Sequence, residues 1–329
     1  MRARVTVVGS INADTSLRLV SLPLPGETVL ARDAARSLGG KGANQAVAAA
    51  RAGADVRMIG AVGVHDGEHL AGALAAEGVD TALLTRAELP SGQALVLLDD
   101  AGENSIIVVA GANAAIEDAV VRRACAELAR GDVLVLQHEV PVATSRLAAA
   151  TASAAGATVV WNAAPAPTSA ADLIEHVDLL VVNEHELDAV TRLLGVEPSG
   201  PEQDVAAVSA RLGTDVVCTL GPAGALVYRS GTLARVPAPS VTAVDTTAAG
   251  DTFVGYLAAS WHLPLPDAVR RATEAGALAV TRHGAAPSIP TLAEVERRLA
   301  AARAGSSASS QTSSTTLSQT ISQTGRNIP

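Results

Sequence analysis

Short runs of aliphatic and β-branched residues alternate along this chain with alanine-rich segments of helical character. The alternation is typical of a mostly parallel sheet with helices on both faces, because strands covered on both faces are apolar throughout. We predict strands at Val5–Gly9, Asp55–Gly60, Val133–Leu136, Thr158–Trp161, Leu179–Val182 and Val216–Leu220. We predict helices at Gly42–Ala52, Gly67–Glu77, Glu117–Leu128, Glu184–Leu194, Gly250–Trp261 and Pro266–Thr281. The expected fold is therefore α/β, a three-layer, doubly wound arrangement.

Two stretches interrupt this rhythm. Thr15–Val20 with Thr28–Ser37, and Ala94–Asp99 with Ser105–Val109, have the pattern of short antiparallel strands outside the main sheet. The turn at residues 100–103 favours a hairpin in the second pair. A small sheet over the carboxyl edge of the large one would act as a lid, and a plain surface hairpin is the alternative.

Bulk composition excludes several functions. Aromatic residues make up 2% of the chain and the formal net charge is −9, which disfavours base stacking and nucleic-acid binding. The two cysteines, Cys125 and Cys218, have no metal-binding spacing and are expected to be buried thiols in a reducing compartment. Apolar runs fall short of the roughly 18 residues of a membrane helix. We expect a cytoplasmic protein with no membrane partner.

The composition changes near the end of the chain. Hydrophobic residues are 48% of the whole, enough for a large core, but residues 305–329 are rich in Ser, Thr and Gln. Such a segment cannot bury enough apolar surface to offset its ordering entropy. We therefore predict one α/β domain over residues 1–304, with lid strands at about 15–37 and 94–109, followed by a disordered tail.

The segment that leads into the helix at Gly250 carries the most chemistry. Ala248, Ala249 and Gly250 are small enough for a ligand to approach the backbone, and the free N–H groups of a helix N-terminus bind anions. Asp251 would then stand beside a bound phosphate. The alternative is that Asp251 only caps the helix.

Residues 245–253 resemble the C-terminal signature of the ribokinase family, the phosphofructokinase-B-type sugar kinases, and residues 39–46 resemble its N-terminal signature. Further similar segments follow in the expected order, so that the resemblance extends from about residue 5 to 299. They are Gly9–Asp14, Pro25–Thr28, Gly111–Asn113, Asn183–Glu186 and Thr219–Gly221.

The resemblance implies ATP-dependent phosphorylation of a sugar hydroxyl, with the 5-hydroxyl of D-ribose as the expected acceptor. Asp251 would be the catalytic base, supported by the turn Ala248, Ala249 and Gly250. The glycine pair at residues 39 and 40 suits sugar binding, because backbone N–H groups there can donate to the hydroxyls of the sugar. The implied sugar contacts are Asn12, Asp14, Gly39, Gly40, Lys41, Asn44, Glu139 and Asp251.

The resemblance also implies sites for ATP, Mg²⁺ and K⁺. The expected nucleotide contacts are Asn183, Thr219, Gly221, Gly224, Gly250 and Thr273. Glu186 would act on magnesium indirectly, since Mg²⁺ keeps several of its waters; without the family, Asn183 and Glu186 would be a helix cap and its partner. The expected monovalent-cation ligands, mostly carbonyls, are Asp245, Thr247, Ala279, Gly284 and Ser288.

Several alternatives concern function. A P-loop is excluded because Lys41 is followed by Gly42, and the first strand lacks a dinucleotide-binding glycine pattern. A kinase for another sugar or a nucleoside, and a non-catalytic sugar-binding protein, both remain alternatives. The apolar lid strand Ile106–Val109 suggests pairing with a second subunit, so we expect a homodimer formed through the lid.

Overall fold

The computed structural model describes residues 3–101 and 103–304; the predicted tail at 305–329 lies outside them. Within these residues, nine strands form a main sheet in the order β15-β14-β13-β12-β11-β10-β1-β4-β6. The strands from β13 to β6 run parallel, whereas β14 and β15 form an antiparallel edge. The predicted mostly parallel, doubly wound sheet is confirmed.

The strands are β1 Arg4–Val8, β2 Asn12–Arg18, β3 Asp33–Gly39, β4 Asp55–Ile59, β5 Ala61–Gly63, β6 Val79–Asp80, β7 Thr85–Ala87, β8 Gly92–Leu98, β9 Asn104–Val109, β10 Val133–Leu136, β11 Thr158–Asn162, β12 Leu179–Asn183, β13 Asp215–Thr219, β14 Ala225–Arg229 and β15 Thr232–Val236. The helices are α1 Lys41–Arg51, α2 Glu68–Ala76, α3 Asp118–Ala126, α4 Val142–Ala154, α5 Glu184–Leu193, α6 Pro201–Leu212, α7 Ala249–Ala259 and α8 Leu265–Ala279. A further helical stretch covers residues 292–304.

The core lies on both faces of the main sheet. One apolar cluster joins the sheet to α1, α2, α7 and α8, and the other joins it to α3, α4, α5 and α6. Alanine, valine and leucine fill most of both clusters, as the low aromatic content requires. No helix in the described ranges is both long and apolar enough to cross a membrane.

A small sheet stands apart from the main one, in the order β3-β2-β8-β9. The two predicted antiparallel pairs are present, and β2 joins them by pairing in parallel with β8. The predicted strand bounds were partly wrong. Strand β2 begins at Asn12 rather than Thr15, and β3 begins at Asp33, so that residues 28–32 lie outside any strand.

Helices α4 and α6, the short strands β5, β6 and β7, and the edge strands β14 and β15 were not predicted. Helix α4 is rich in Ala, Thr and Ser and buries mainly small residues, so its sequence lacks a clear apolar stripe. The β14–β15 pair is joined through Ser230 and Gly231, both in the left-handed region. Between β13 and β14, Gly221–Ala223 form a short 3₁₀ turn.

The fold brings polar residues to one edge of the main sheet. Since the carboxyl ends of parallel strands lie along one edge, the residues after β1 and β10 and at the ends of β11, β12 and β13 gather there. They are Ser10, Gln137, Glu139, Asn162, Asn183 and Thr219.

Candidate active site

Asp251 lies in the first turn of α7 and is 7% exposed. Its Oδ2 accepts a hydrogen bond from Asn44 Nδ2 at 3.0 Å, and its Oδ1 accepts one from Gln45 Nε2 at 2.9 Å. The N-cap position belongs to Ala248, which adopts a left-handed conformation with φ of 57°. The carboxylate of Asp251 therefore faces α1 and does not cap its own helix, so the capping alternative was wrong.

Asn12 and Asp14 lie on β2 and not in a turn. Asn12 Oδ1 accepts a hydrogen bond from Asn113 Nδ2 at 2.8 Å, and Asn113 Oδ1 accepts one from the Ile11 N–H at 2.9 Å. The Oδ1 atom of Asp14 is buried without a hydrogen-bond partner in the part of the chain described. A buried carboxylate oxygen with no protein partner is suited to accept from the hydroxyl of a ligand.

The glycine pair gives this carboxylate its room. A Cβ atom at Gly39 would lie 1.9 Å from Asp14 Oδ2. Gly40 has φ of 88°, and a Cβ there would lie 2.9 Å from the Ser10 carbonyl oxygen. Both positions therefore require glycine, one for the side chain opposite and the other for its own backbone.

Glu139 closes the same cradle from the end of β10. Its Oε2 accepts from Ser10 Oγ at 2.6 Å and from the Lys41 N–H at 3.0 Å. Ser10 Oγ in turn accepts from the Gly42 N–H at 3.3 Å. These bonds connect the N-terminus of α1 to two strand ends. They fix the backbone of Lys41, from which its side chain extends.

Four carboxylates, those of Asp14, Glu139, Glu186 and Asp251, and the ammonium of Lys41 dominate the local charge. Burial first, then Glu139 and Asp251, raise the pKa of Asp14 to about 7. The charge of Asp251 is the main cause that raises the pKa of Lys41; burial opposes it, and Glu139 and Glu186 add to it. Lys41 therefore stays an ammonium among these carboxylates at neutral pH.

Lys41 and Asp251 line a cleft, called here the Lys41 cleft, that also includes Asn183, Glu186 and Thr219. Asn183 and Glu186 form a reciprocal capping box at the start of α5, with both bonds at 2.9 Å. The capping interpretation of this pair is thus confirmed, and the same pair faces the cleft. Burial raises the pKa of Glu186, against the hydrogen bond from Asn183 and the charge of Lys41.

A larger cavity of about 420 Å³, called here the Thr273 cavity, adjoins this cleft. It shares Thr219, Gly250 and Phe253 with the Lys41 cleft. Thr273 Oγ1 is buried and has no hydrogen-bond partner in the described part of the molecule. Gly221, Gly224 and Ala249 also line the cavity. Its size lies within the usual range for small-molecule sites.

The loop before α7 is bound to the loop after α8. Asp245 Oδ1 accepts from the Thr247 N–H and Oδ2 from the Gly284 N–H, both at 2.9 Å. Burial acts to raise the pKa of Asp245, but the hydrogen bonds from Thr247 and Gly284 outweigh it, so the net shift is downward. The Asp245 N–H donates to the Val280 carbonyl, next to Ala279. The Ser288 hydroxyl donates to the Ala285 carbonyl.

Residues that the sequence did not single out complete the site. Gln45, Gln137 and Asn162 form a buried amide cluster behind Asp251, and Asn113 supports Asn12. Gln45 lies within the segment similar to the N-terminal signature, so its position was available as a signal. Gln137 and Asn162 come from separate strands, and only the folded sheet brings them to Gln45.

A buried carboxylate beside an ammonium, at a helix N-terminus shared by two adjoining pockets, is the arrangement of a group-transfer enzyme with two substrates. A family model for pfkB family carbohydrate kinases matches residues 2–292. The chain belongs to the pfkB family of carbohydrate kinases.

Comparisons with individual proteins agree with this membership. The chain is 38% identical over 301 residues to a ribokinase of Haemophilus influenzae, a match that covers 89% of this chain and 97% of that protein. A solved ribokinase structure from Thermotoga maritima has a TM-score of 0.84 at 32% identity and covers 91% of this chain and 99% of that one. A structure of Arabidopsis thaliana ribokinase complexed with ribose and ATP has a TM-score of 0.79 at 31% identity. The match covers 90% of this chain and 98% of that one.

Proposed function

We propose that this protein transfers the γ-phosphoryl group of ATP to the 5-hydroxyl of D-ribose. The observation that carries the proposal is the position of Asp251, which lines the Lys41 cleft beside the turn that also borders the Thr273 cavity. A relative complexed with ribose and ATP supports this choice of substrates.

Asp251 is the proposed catalytic base. A carboxylate has about four acceptor sites, and the described bonds from Asn44 and Gln45 occupy two of them. The carboxylate can therefore accept the proton of the attacking hydroxyl. Strong basicity is not required, because the phosphoryl transition state is loose and positioning dominates the catalysis.

The turn Ala248, Ala249 and Gly250 is proposed to hold the transferring group. Free N–H groups at the start of a helix attract anions, and donors aimed at developing charge commonly supply the largest part of transition-state stabilisation. The left-handed conformation of Ala248 sets the entry angle of the chain into α7. The ammonium of Lys41 supplies a positive charge in the same cleft.

The sugar is proposed to lie against Asn12, Asp14, Asn44 and Glu139 and the backbone of the glycine pair at residues 39 and 40. The unpartnered Oδ1 atoms of Asp14 and Asn44 support this placement, since each needs a donor. A nucleoside acceptor is less favoured, because a base usually stacks on aromatic rings and this chain has one Phe, two Tyr and two Trp.

The nucleotide is proposed to occupy the Thr273 cavity, with its phosphates toward Thr219, Gly221 and Gly224. Asn183 and Glu186 fit a hydrated magnesium ion, since they present oxygen ligands at the mouth of the Lys41 cleft. When bound, such an ion would neutralise charge on the phosphates of ATP.

A potassium ion is proposed near Asp245, Thr247, Ala279, Gly284 and Ser288. A carboxylate next to backbone carbonyls is the hard oxygen set that alkali and alkaline-earth cations prefer. The bonds of Asp245 to both loops support the position of that carboxylate, and the Ser288 hydroxyl keeps its lone pairs for a cation because it donates to the Ala285 carbonyl.

We also propose a cytoplasmic homodimer. The four residues Ile106–Val109 on β9 are 52–57% exposed at the edge of the small sheet. An exposed apolar edge strand favours pairing with another chain. Cys125 and Cys218 are both free and buried, which suits a reducing compartment.

The proposed substrates can be tested by measuring ADP release from ATP and Mg²⁺ with ribose, deoxyribose, fructose, adenosine and uridine, each with and without K⁺. We expect the highest turnover with ribose, enhanced by K⁺. Turnover with another acceptor alone would contradict the assigned sugar site. Absence of turnover with every acceptor, while ribose still binds, would identify a non-catalytic sugar-binding protein.

The role of Asp251 can be tested with Asp251→Asn. We expect kcat to fall by about 10²–10⁴-fold, the usual contribution of a general base, while ribose still binds by calorimetry. Near wild-type turnover in this variant would exclude Asp251 as the base.

A further inference from the structure

The buried amide cluster behind Asp251 is not used by the chemistry described so far. Gln45 and Gln137 are both fully buried. Gln45 Nε2 donates to Asp251 Oδ1 at 2.9 Å and to Asn162 Oδ1 at 3.0 Å, while Gln45 Oε1 accepts from Gln137 Nε2 at 2.8 Å. All the hydrogen-bonding groups of the Gln45 amide are therefore engaged.

The neighbours of Gln45 permit one orientation of its amide. Asn162 Nδ2 donates to the Val181 carbonyl at 3.1 Å, so that Asn162 Oδ1 faces Gln45. If the Gln45 amide were turned over, its oxygen would face two acceptors, Asn162 Oδ1 and the Asp251 carboxylate. Its NH₂ group would then face the NH₂ group of Gln137. In a buried site, these like-to-like contacts cost the desolvation energy of each group.

Asn44, which holds the other oxygen of Asp251, is not fixed in this way. Asn44 Oδ1 is buried and has no hydrogen-bond partner among the described residues. Its amide is therefore available to a ligand, whereas the amide of Gln45 is held on every side by the protein. The two neighbours on α1 thus have different tasks at the same carboxylate.

The space for this cluster comes from Gly9, at the end of β1. A Cβ atom at this position would lie 1.9 Å from Gln137 Oε1 and 2.8 Å from Gly42 Cα. The Gln137 Oε1 atom, which has no hydrogen-bond partner among the described residues, therefore packs against Gly9. The cluster is bonded to the backbone at Val181.

We propose that Gln45 is a positioning residue for Asp251, and that Gln137 and Asn162 fix the Gln45 amide with its NH₂ group toward the carboxylate. The proposal rests on the proposed function, in which Asp251 is the base. Gln45 holds one carboxylate oxygen so that the other is presented to the sugar hydroxyl. Its effect falls on the rate of transfer and much less on the binding of ribose.

The direct test is Gln45→Met, which keeps the length of the side chain and removes its hydrogen bonds. We expect kcat to fall about tenfold to 100-fold, the usual cost of misplacing a reacting group, with little change in the KM for ribose. Gln137→Met should lower kcat in the same direction but less, because it removes the contact that orients Gln45 and leaves Gln45 in place.

A second variant, Gln45→Glu, keeps the shape of the side chain and replaces the NH₂ donor to Asp251 with a carboxylate oxygen. A carboxylate next to Asp251 favours the protonated form of the pair, so the acidic limb of the pH–kcat profile should move up by about one pH unit or more. Lys41, Asp14 and Glu186, the other charged groups near Asp251, are unchanged in this variant. An unmoved limb would contradict the contact.

A double-mutant cycle separates this proposal from the assignment of Asp251. If Gln45 acts through the carboxylate, Gln45→Met should cost little when added to Asp251→Asn. The same loss in both backgrounds, or unchanged kcat in Gln45→Met alone, would overturn the positioning role while Asp251→Asn still reports on the base. Fast turnover of Asp251→Asn alone would instead overturn the proposed mechanism.

The matched control is Thr191→Val, which removes another fully buried hydrogen bond, from Thr191 Oγ1 to the Leu187 carbonyl within α5. Its thermal stability is measured beside that of Gln45→Met, and its kcat should be unchanged. A loss of kcat in Thr191→Val matching that of Gln45→Met would show that lost stability alone explains the effect and would overturn the proposal.

Discussion

Asp14 places a buried carboxylate close to two others, Glu139 and Asp251. Burial, followed by these two charges, raises its pKa to about 7. Near neutral pH, the free protein therefore contains a mixture of protonated and ionised Asp14. A sugar hydroxyl that donates to Asp14 would stabilise the ionised form. The ligand would thus supply the hydrogen bond that this carboxylate lacks in the free protein.

The raised pKa has a consequence for stability. The folded protein binds a proton at Asp14 up to about pH 7, whereas the unfolded chain releases it near pH 4, so this residue lowers the free energy of unfolding as the pH rises between the two values. The slope is at most about 1.4 kcal/mol per pH unit. Above about pH 7 the full cost is present.

We therefore expect Asp14→Asn to increase the stability of the free protein relative to wild type, and more at pH 8 than at pH 5. Urea unfolding at the two pH values measures the difference. Asp188→Asn, on the exposed side of α5, is the control and should show no comparable change. A stabilisation equal at both pH values would contradict the raised pKa.

At the residue scale, the sequence was informative where a side chain follows a recognisable motif. Asp251, Lys41 and the glycines at 39 and 40 lie where the motifs led us to expect a site. The strand position of Asn12 and Asp14 was not predictable, because the strand they occupy is held by pairing with β3 and β8 rather than by its own pattern. Gln137 could not be predicted, since its partner Gln45 is 92 residues away.

At the element scale, the packing of α1 against α7 sets the distance between Gln45 and Asp251. Gly255 lies one turn after Asp251, and a Cβ atom there would lie 2.5 Å from both Ala48 Cβ and the Gln45 carbonyl oxygen. Because these contacts include backbone of α1, the added atom could be accommodated only if the helices moved apart.

We expect Gly255→Ala to destabilise the protein by about 1–3 kcal/mol, the usual cost of overpacking a core, and to lower kcat as Asp251 moves away from α1. Thermal unfolding and initial rates measure the two effects. Gly72→Ala is the matched control, since Gly72 is exposed within α2 and a Cβ there has nothing within 4 Å. It should be neutral or stabilising by up to about 1 kcal/mol. Equal effects of the two substitutions would refute the close contact.

Elements with a strong apolar pattern were predictable, and their pairing partners were less so. The parallel strands of the main sheet other than the short β6, and helices such as α1, α7 and α8, were predicted within a few residues. The parallel pairing of β2 with β8 was not, because it joins segments about 80 residues apart and depends on the surface that the rest of the fold leaves open.

At the scale of the whole molecule, exposed apolar side chains gather around the small sheet. Val20, Leu24 and Leu30 are 61–89% exposed in the segment between β2 and β3, and Ile106–Val109 form the edge at β9. A large apolar patch of this kind usually marks an interface, and it supports the proposed homodimer.

We expect sedimentation to detect a dimer of the wild-type chain and a monomer of Ile107→Lys, because a charge on the edge strand opposes pairing. Leu233→Lys, which places the same charge on the exposed edge strand β15 of the main sheet, should leave the dimer intact. A monomeric wild type, or equal behaviour of both variants, would exclude an interface at β9.

The wall that the two pockets share bears on the order of events during turnover. Thr219, Gly250 and Phe253 face the Lys41 cleft on one side and the Thr273 cavity on the other. The proposed ATP in the Thr273 cavity and the proposed sugar, which Asn44 would hold beside Asp251, would then meet at the turn that contains Gly250. The phosphoryl group can then pass directly between them, without a phosphorylated enzyme as an intermediate. Such an enzyme follows sequential kinetics through a ternary complex rather than a ping-pong course.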